Sequence, residues 1–322
     1  MTDPFSDFLK LADAQPAVSG GFTAGGAWAI RFPKPDYLKF FALVKGSCWL
    51  RIDGDKEPVR VHEGDVFLLS VRRSFVLAGD LAAEPVDATR LFAGKANKTA
   101  TLGDTEDCIQ IGGHVRLDRT SGELLAQMLP PLIHVRAGTE QAKVLEWLLE
   151  RLVRERASER PGVGIASAHL TQLLFVQILR VYLETSEELP CGWLRAVSDK
   201  RLSPAMRLMH SDPSRAWTLG ELAKAAAMSR TSFAVHFKSV AGVAPLTYLT
   251  QWRMQLAQRA LRVDTTPMSV LASQLGYGSE SAFSTAFKRV TGISPTHFRL
   301  QAREADGVVE AAGDELDAAT VD

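Results

Sequence analysis

Two stretches in the C-terminal third carry side chains whose types and spacing suit a nucleic acid. One presents Arg230, Thr231, Ala234, Val235 and Lys238, and the other Glu280, Ser281, Ser284, Thr285, Lys288 and Arg289. In a DNA major groove a carboxylate accepts from cytosine N4, a hydroxyl donates or accepts at a base edge, and Ala or Val meets the thymine methyl. Lys238, Lys288 and Arg289 carry charge suited to phosphates, which position a protein on the duplex without reading it. Arg230, at a helix start, reaches a guanine or a phosphate equally well.

Those side chains need two short helices to present them, and the sequence supplies both as copies of one unit. LAKAAAMSRTSFAVHFKSVAGVAP, from Leu222 to Pro245, aligns with LASQLGYGSESAFSTAFKRVTGISP, from Leu271 to Pro295. Counted from Phe233 and from Phe283, a Phe, a Lys, a Val, a Gly and a Pro recur at equal offsets. Repetition of a unit at this spacing is a structural signal. Each copy reads as helix, turn, helix. Thr218 and Glu221 form a capping box for the first helix of the first copy, and Thr266 before Pro267 is the expected start in the second. Ser229 and Ser279 are the expected caps of the second helices. Phe233 with Phe237, and Phe283 with Phe287, make the inward faces, which turns the candidate readers outward. Residues from about Pro245 to Arg262 form a long helix between the copies.

Charge supports a polyanionic partner. The chain of 322 residues has 37 Lys and Arg against 37 Asp and Glu, yet residues 193–301 hold 14 against 5, a net of +9. Residues 302–322 hold 1 against 7, a net of −6, and residues 1–192 a net of −3. A basic block marks a nucleic-acid footprint. The acidic tail reads as disordered or as a shield for the basic block.

The N-terminal part has a different period. Phe40–Val44, Ser47–Ile52, Val59–His62 and Val66–Val71 are short β-branched or aromatic runs separated by glycine turns, which predicts an antiparallel sandwich or barrel, with Leu132, Ile133 and Val135 adding a strand or a capping turn. From Glu140 to Ala157, Leu145, Leu148, Leu149 and Leu152 form an apolar stripe on a helix, with Glu150 and Arg154 paired on another face. A buried helix follows from about Ile165 to Thr185, and Ser186–Arg201 reads as a linker. No apolar run reaches the length of a transmembrane span, and MTDPFSDFLKLAD lacks the features of a secretory signal, so a cytoplasmic protein is expected. Cys48, Cys108 and Cys191 are scattered and suggest neither disulfides nor a zinc site.

At the repeats the resemblance to a known family is specific. Residues 200–301 resemble the double helix-turn-helix DNA-binding domain of the AraC/XylS family of bacterial transcription regulators, most of all LGYGSESAFSTAFKRVTGISPTHFR at 275–299. The resemblance implies two recognition helices in successive major grooves of one DNA face. The family's base-reading positions fall on Thr231, Ala234 and Val235, and on Glu280, Ser281, Ser284 and Thr285. Ala234 and Val235 depart from the longer polar or basic residues frequent in relatives. The segments DPFSDFL, GGAWAIRFP, FFALVKGSCWLRIDG, VHEGDVFLLS and IGGHVRLD are similar to the cupin-like sensor domain found upstream of this DNA-binding domain in one branch of the family.

A cupin can be a metal enzyme, which needs clustered histidines. His62, His114, His134, His169, His210, His236 and His297 are spread along the chain, and no metal, cofactor or catalytic group is expected. His62 reads as a turn residue, and His114 as a structural or pocket residue. Trp28, Arg31, Phe32, Tyr37, Trp49 and Arg51 could build an effector cavity with aromatic walls and a cationic anchor, or belong to the core.

The expected architecture is α+β and multidomain: a cupin-like antiparallel β-barrel sensor over residues 1–138, a helical dimerisation or linker segment over 139–192, an all-α double helix-turn-helix domain over 193–301, and an acidic tail over 302–322. The expected function is sequence-specific DNA binding that responds to a small molecule or chemical signal. Double-stranded DNA is the main partner, a homodimer the expected state, RNA polymerase a further candidate partner, and no membrane is involved. A cupin catalyst with a DNA-binding accessory, and an architectural DNA-binding protein without effector, are the alternatives. Bound stoichiometric metal would mark the first, and indifference to metabolites the second.

Overall fold

The computed structural model describes residues 3–70, 73–93, 99–118, 121–158, 160–186 and 189–302. Val71, expected in a strand, and most of the acidic tail lie outside the described residues. The chain divides into two compact units, one formed by residues 12–189 and the other by residues 1–11 together with 190–322.

The first unit is built on two sheets. One orders its strands β11 (Leu132–Val135), β6 (Val66–Leu69), β3 (Leu38–Lys45), β10 (Cys108–Arg116), β1 (Gln15–Ala24) and β9 (Thr99–Leu102). The other runs β5 (Val59–His62), β4 (Ser47–Ile52), β7 (Phe75–Ala78), β2 (Ala29–Phe32) and β8 (Val86–Asp87). The expected antiparallel barrel is therefore two mixed sheets, which do not close on one another among the described residues. β9 joins β1 in parallel and β8 joins β2 in parallel. A short helix, α2 (Ala88–Leu91), follows β8 and is capped by Asp87. Phe22, Phe41, Leu43, Leu50, Phe67, Phe75 and Leu77 meet in one core. Alternation decides which residues belong to it, because successive strand side chains point to opposite faces. On β4, Cys48, Leu50 and Ile52 are buried, while Trp49 and Arg51 lie on the other face.

After α3 (Ser121–Met128), a 3-10 turn at Glu140–Ala142 leads into α4 (Lys143–Arg156), which pairs with α5 (Val163–Thr185). Leu145, Leu148, Leu149 and Leu152 are all buried inside this unit, so the stripe is core and is not left for a partner. At 23 residues α5 is long and apolar enough to cross a membrane by length and composition, contrary to the sequence expectation. It packs instead on α4, β1, β6 and β11.

The second unit begins, unexpectedly, with the chain's first helix, α1 (Pro4–Leu11). Phe8 stacks on Trp193 with ring centroids 4.1 Å apart, Phe5 lies at 6.3 Å from the same indole, and Arg259 donates to the Lys10 carbonyl at 2.8 Å. DPFSDFL therefore belongs to this unit and not to the sheets. The expected linker also folds: α6 (Trp193–Ser198) buries Trp193, Leu194 and Ala196. Then come α7 (Ser203–Ser211), α8 (Leu219–Ala225), α9 (Arg230–Ala241), α10 (Pro245–Val263), α11 (Met268–Gln274) and α12 (Glu280–Thr291).

Candidate nucleic-acid interface and sensor cavity

The two helix-turn-helix modules are α8 with α9 and α11 with α12, and local chemistry repeats between them. The Thr218 hydroxyl accepts from Glu221 N–H while the Glu221 carboxylate accepts from Thr218, completing the capping box. With hydrogen bonds from the Thr218 backbone and hydroxyl and from Arg215, the Glu221 carboxyl is held down to about 2. Ser229 caps α9 through Ser232 N–H, and Ser279 caps α12 through Ala282 N–H. Thr266 does not cap α11. Pro267 occupies that position without a side-chain bond, and the Thr266 carbonyl instead accepts from Arg299 at 2.6 Å. Each recognition helix ends on a left-handed glycine, Gly242 or Gly292.

The inward faces form as expected. Phe233, Phe237, Phe283 and Phe287 are fully buried. Phe237 meets Tyr248 of α10, and Phe283 and Phe287 pack with Met254, Ala257 and Leu261 farther along the same helix, so α10 serves both modules. Arg253 fixes their spacing: its guanidinium donates to the Pro213 carbonyl at 2.6 Å and to Arg215 at 2.9 Å, and lies over the Tyr277 ring. Outward, Arg230, Thr231, Val235 and Lys238 are exposed on α9, with Ala234 partly so. Glu280, Ser281, Thr285, Lys288 and Arg289 are exposed on α12, with Ser284 partly so. Arg230 lies back over α8, since a Cβ at Gly220 would stand 3.0 Å from its Nε.

Behind these faces sits a polar pair that sequence reasoning passed over. His210 is buried against Trp252 at 4.1 Å, bonds Tyr248 through Nε2 at 2.6 Å, and brings Nδ1 within 3.4 Å of Asp7 on α1. Burial pushes the His210 imidazole below its ordinary range, against the opposing pull of Asp7. His236 of α9 bonds Asp199 at 2.9 Å. Two polar residues so far apart in sequence give no local signal of their contact.

In the first unit a cavity of about 380 Å³ lies at the inner face of the sheets, lined by Phe32, Phe41, Phe75, Phe92, Gln110 and Lys39, with Tyr37 beside them. Of the expected effector group, Tyr37 and Phe32 reach it. Trp28 is buried in the core with its ring 5.2 Å from Phe22. Arg31 pairs with Asp53 at 2.9 Å, Trp49 lies under Arg60, and Arg51 shares that outward side of the sheet. His114 bonds Ser19 at 2.7 Å and faces the Tyr37 ring at 5.6 Å, and burial, Lys39 and Arg116 lower its pKa. Sequence proximity puts these aromatic and cationic residues together, but strand parity turns Arg31, Trp49 and Arg51 away. Gln110 gave no signal because a lone glutamine on a strand is ordinary. Among the described residues no group of three or more His, Cys, Asp or Glu is placed to hold a metal ion. Cys48 and Cys108 are buried in the core, and Cys191 is exposed.

Paired helix-turn-helix modules carried by one long helix, joined to a two-sheet unit, define a DNA-binding regulator. Residues 3–184 match the cupin family and residues 222–301 the helix-turn-helix domain family. An AraC-like transcription regulator of Streptomyces antibioticus is 40% identical over 297 residues, covering 92% of this chain and 98% of that one. The transcriptional regulator AlkR of Acinetobacter baylyi is 31% identical over 284 residues, covering 86% and 92%. Among solved structures, the DNA-binding domain of AdpA in complex with a target DNA is 29% identical with a TM-score of 0.32, covering 33% of this chain and 96% of that one. The chain belongs to the AraC-type transcription regulators with an N-terminal cupin domain. It is a DNA-binding regulator of transcription and not an enzyme.

Proposed function

We propose that this regulator reads a specific DNA sequence with α9 and α12 and changes its grip when a small molecule occupies the cavity of the cupin unit. The observation that carries the reading is the matched pair of recognition helices, equal in cap, inward Phe pair, outward Lys and terminal glycine, held on α10 by buried aromatics. Thr231, Ala234 and Val235 would read one half-site and Glu280, Ser281, Ser284 and Thr285 the other. Arg230 would reach a guanine or a phosphate, and Lys238, Lys288 and Arg289 would hold phosphates. The effector enters this reading through differential binding: it changes DNA affinity only if it binds two arrangements of the protein unequally.

The protein would act in the cytoplasm as a homodimer. Support for a dimer comes from Val144 and Trp147, which stay 50% and 56% exposed on α4, one helical turn apart. Recruitment of RNA polymerase is the expected output where the regulator activates. Sequencing the genomic fragments retained by the purified protein tests the reading. Recurrent sites upstream of a small set of genes are expected, and uniform recovery across the genome would overturn it.

A further inference from the structure

Gln110 is 2% exposed, lines the cavity of the cupin unit, and has no hydrogen-bond partner for its amide Nε2 among the described residues. That donor lies enclosed just beneath the cavity wall, so an entering acceptor pairs with it once the amide turns towards the cavity, and the pairing relieves a costly buried orphan. The walls around it are aromatic. Phe32 and Phe75 stack at 4.8 Å, and Phe41 stands edge-on to both at 5.5 and 5.6 Å. Gly112 lets the Phe41 ring and the Gln110 amide lie close against the strand, since a Cβ there would lie 2.8 Å from the ring and 3.3 Å from Nε2. Lys34, Asp36 and Lys39 lie among the other lining residues, so the charge there is mixed in sign.

These features discriminate among ligands. A hydrocarbon would fill the aromatic walls but leave the amide unpaired. A carboxylate at Gln110 would shed its water among phenyl rings for a neutral amide in return, which does not repay the desolvation of a charge. A neutral carbonyl meets both demands. The volume of about 380 Å³ sits near the lower end of small-molecule sites, which suits a body of one or two rings.

We propose that the cavity takes a neutral, largely aromatic small molecule that places one hydrogen-bond acceptor, a carbonyl oxygen or its equivalent, on the Gln110 amide. This rests on the reading of the cupin unit as an effector sensor. Ligand-observed NMR titrations of the full chain without DNA, using acetophenone, ethylbenzene and benzoate as near-isosteric probes, test it. Acetophenone binds about tenfold more tightly than either of the others, the effect of one buried hydrogen bond. Gln110→Leu brings acetophenone down to the level of ethylbenzene and leaves ethylbenzene unchanged. If that variant does not fold, the order of the three probes on the unaltered protein decides. Equal binding of ethylbenzene, tightest binding of benzoate, or saturation by none of the three overturns the proposal. Operator affinity, measured separately, keeps the two readings apart. Acetophenone bound as expected but without effect on operator affinity counts against the sensor reading and leaves the ligand class standing.

Discussion

Ala227 and Gly276 hold the same place in the two helix-turn-helix turns, each with a left-handed backbone, φ 53° and 79°. In both, the following amide reaches back to the preceding helix, Met228 N–H to the Ala223 carbonyl and Tyr277 N–H to the Ala272 carbonyl, each at 2.9 Å. Alanine in this conformation is strained by about 1 to 2 kcal/mol, whereas glycine is not, though glycine loses about 0.5 to 1 kcal/mol more entropy on folding. Ala227→Gly should therefore stabilise the C-terminal unit by up to about 1.5 kcal/mol. Gly276→Ala should destabilise it by about 2 to 4 kcal/mol, because strain is joined by a Cβ at 1.9 Å from the Ser214 carbonyl. Thermal unfolding of the two variants reads this directly. Equal shifts of the same sign would contradict it.

His210 makes stability depend on acid. Its neutral form is favoured in the fold, chiefly by burial, so the unfolded chain binds its proton first as pH falls below the ordinary histidine value of 6.5. The contribution is full above that value and is lost as pH drops towards the lowered one. Asp7 and the charge of Asp3 oppose this, and Tyr248 and Trp252 also stand against the ring. The midpoint of thermal unfolding should drop as pH falls below 6.5, and His210→Gln should flatten that fall. An unaltered slope in the variant would remove His210 as its source.

The apolar stripe of α4 and the exposed Trp147 separate folding from assembly. Leu148→Glu and Leu152→Glu should unfold the first unit, since both leucines are buried there. Burying one Leu is worth roughly 1.5 to 3 kcal/mol, and a buried unpaired carboxylate costs more. Trp147→Glu should leave the fold intact and weaken dimerisation at least tenfold by sedimentation, a loss of about 1.4 kcal/mol. A folded Trp147→Glu protein with unaltered association would take α4 out of the interface.

Period and spacing made the C-terminal modules legible. Capping residues act on their own neighbours, and a repeat of Phe, Lys and Gly carries helix, face and ending in one line of sequence. The Thr266 cap does not form because α11 starts one residue later, with Pro267 at its N-cap, while the Thr266 carbonyl accepts from Arg299 across the fold. The sensor cavity was less legible. Whether Arg31 or Phe32 faces inward depends on strand register, which a shift of one residue reverses. The place of α1 beside Trp193 was hidden because nothing near Phe5 or Phe8 in the sequence names a partner nearly two hundred residues away.

Phosphate anchoring should show as salt dependence. Lys238→Ala and Lys288→Ala should each reduce the slope of log affinity against log salt by about 0.9, equally on specific and unspecific DNA. Unchanged slopes would place both lysines outside the interface.

Selection of the purified full chain on a randomised DNA pool is the most direct test that α9 and α12 are paired readers. Within the stretch read by each protomer, two enriched half-sites about one helical turn, 10 to 10.5 base pairs, apart are expected. Ser284→Ala and Thr285→Ala should relax preference in one half alone, by about 1 to 3 kcal/mol where a direct contact is lost, and Val235→Ala should act at a thymine in the other half. No enriched sequence, or relaxation of the same half by both sets of variants, would contradict it.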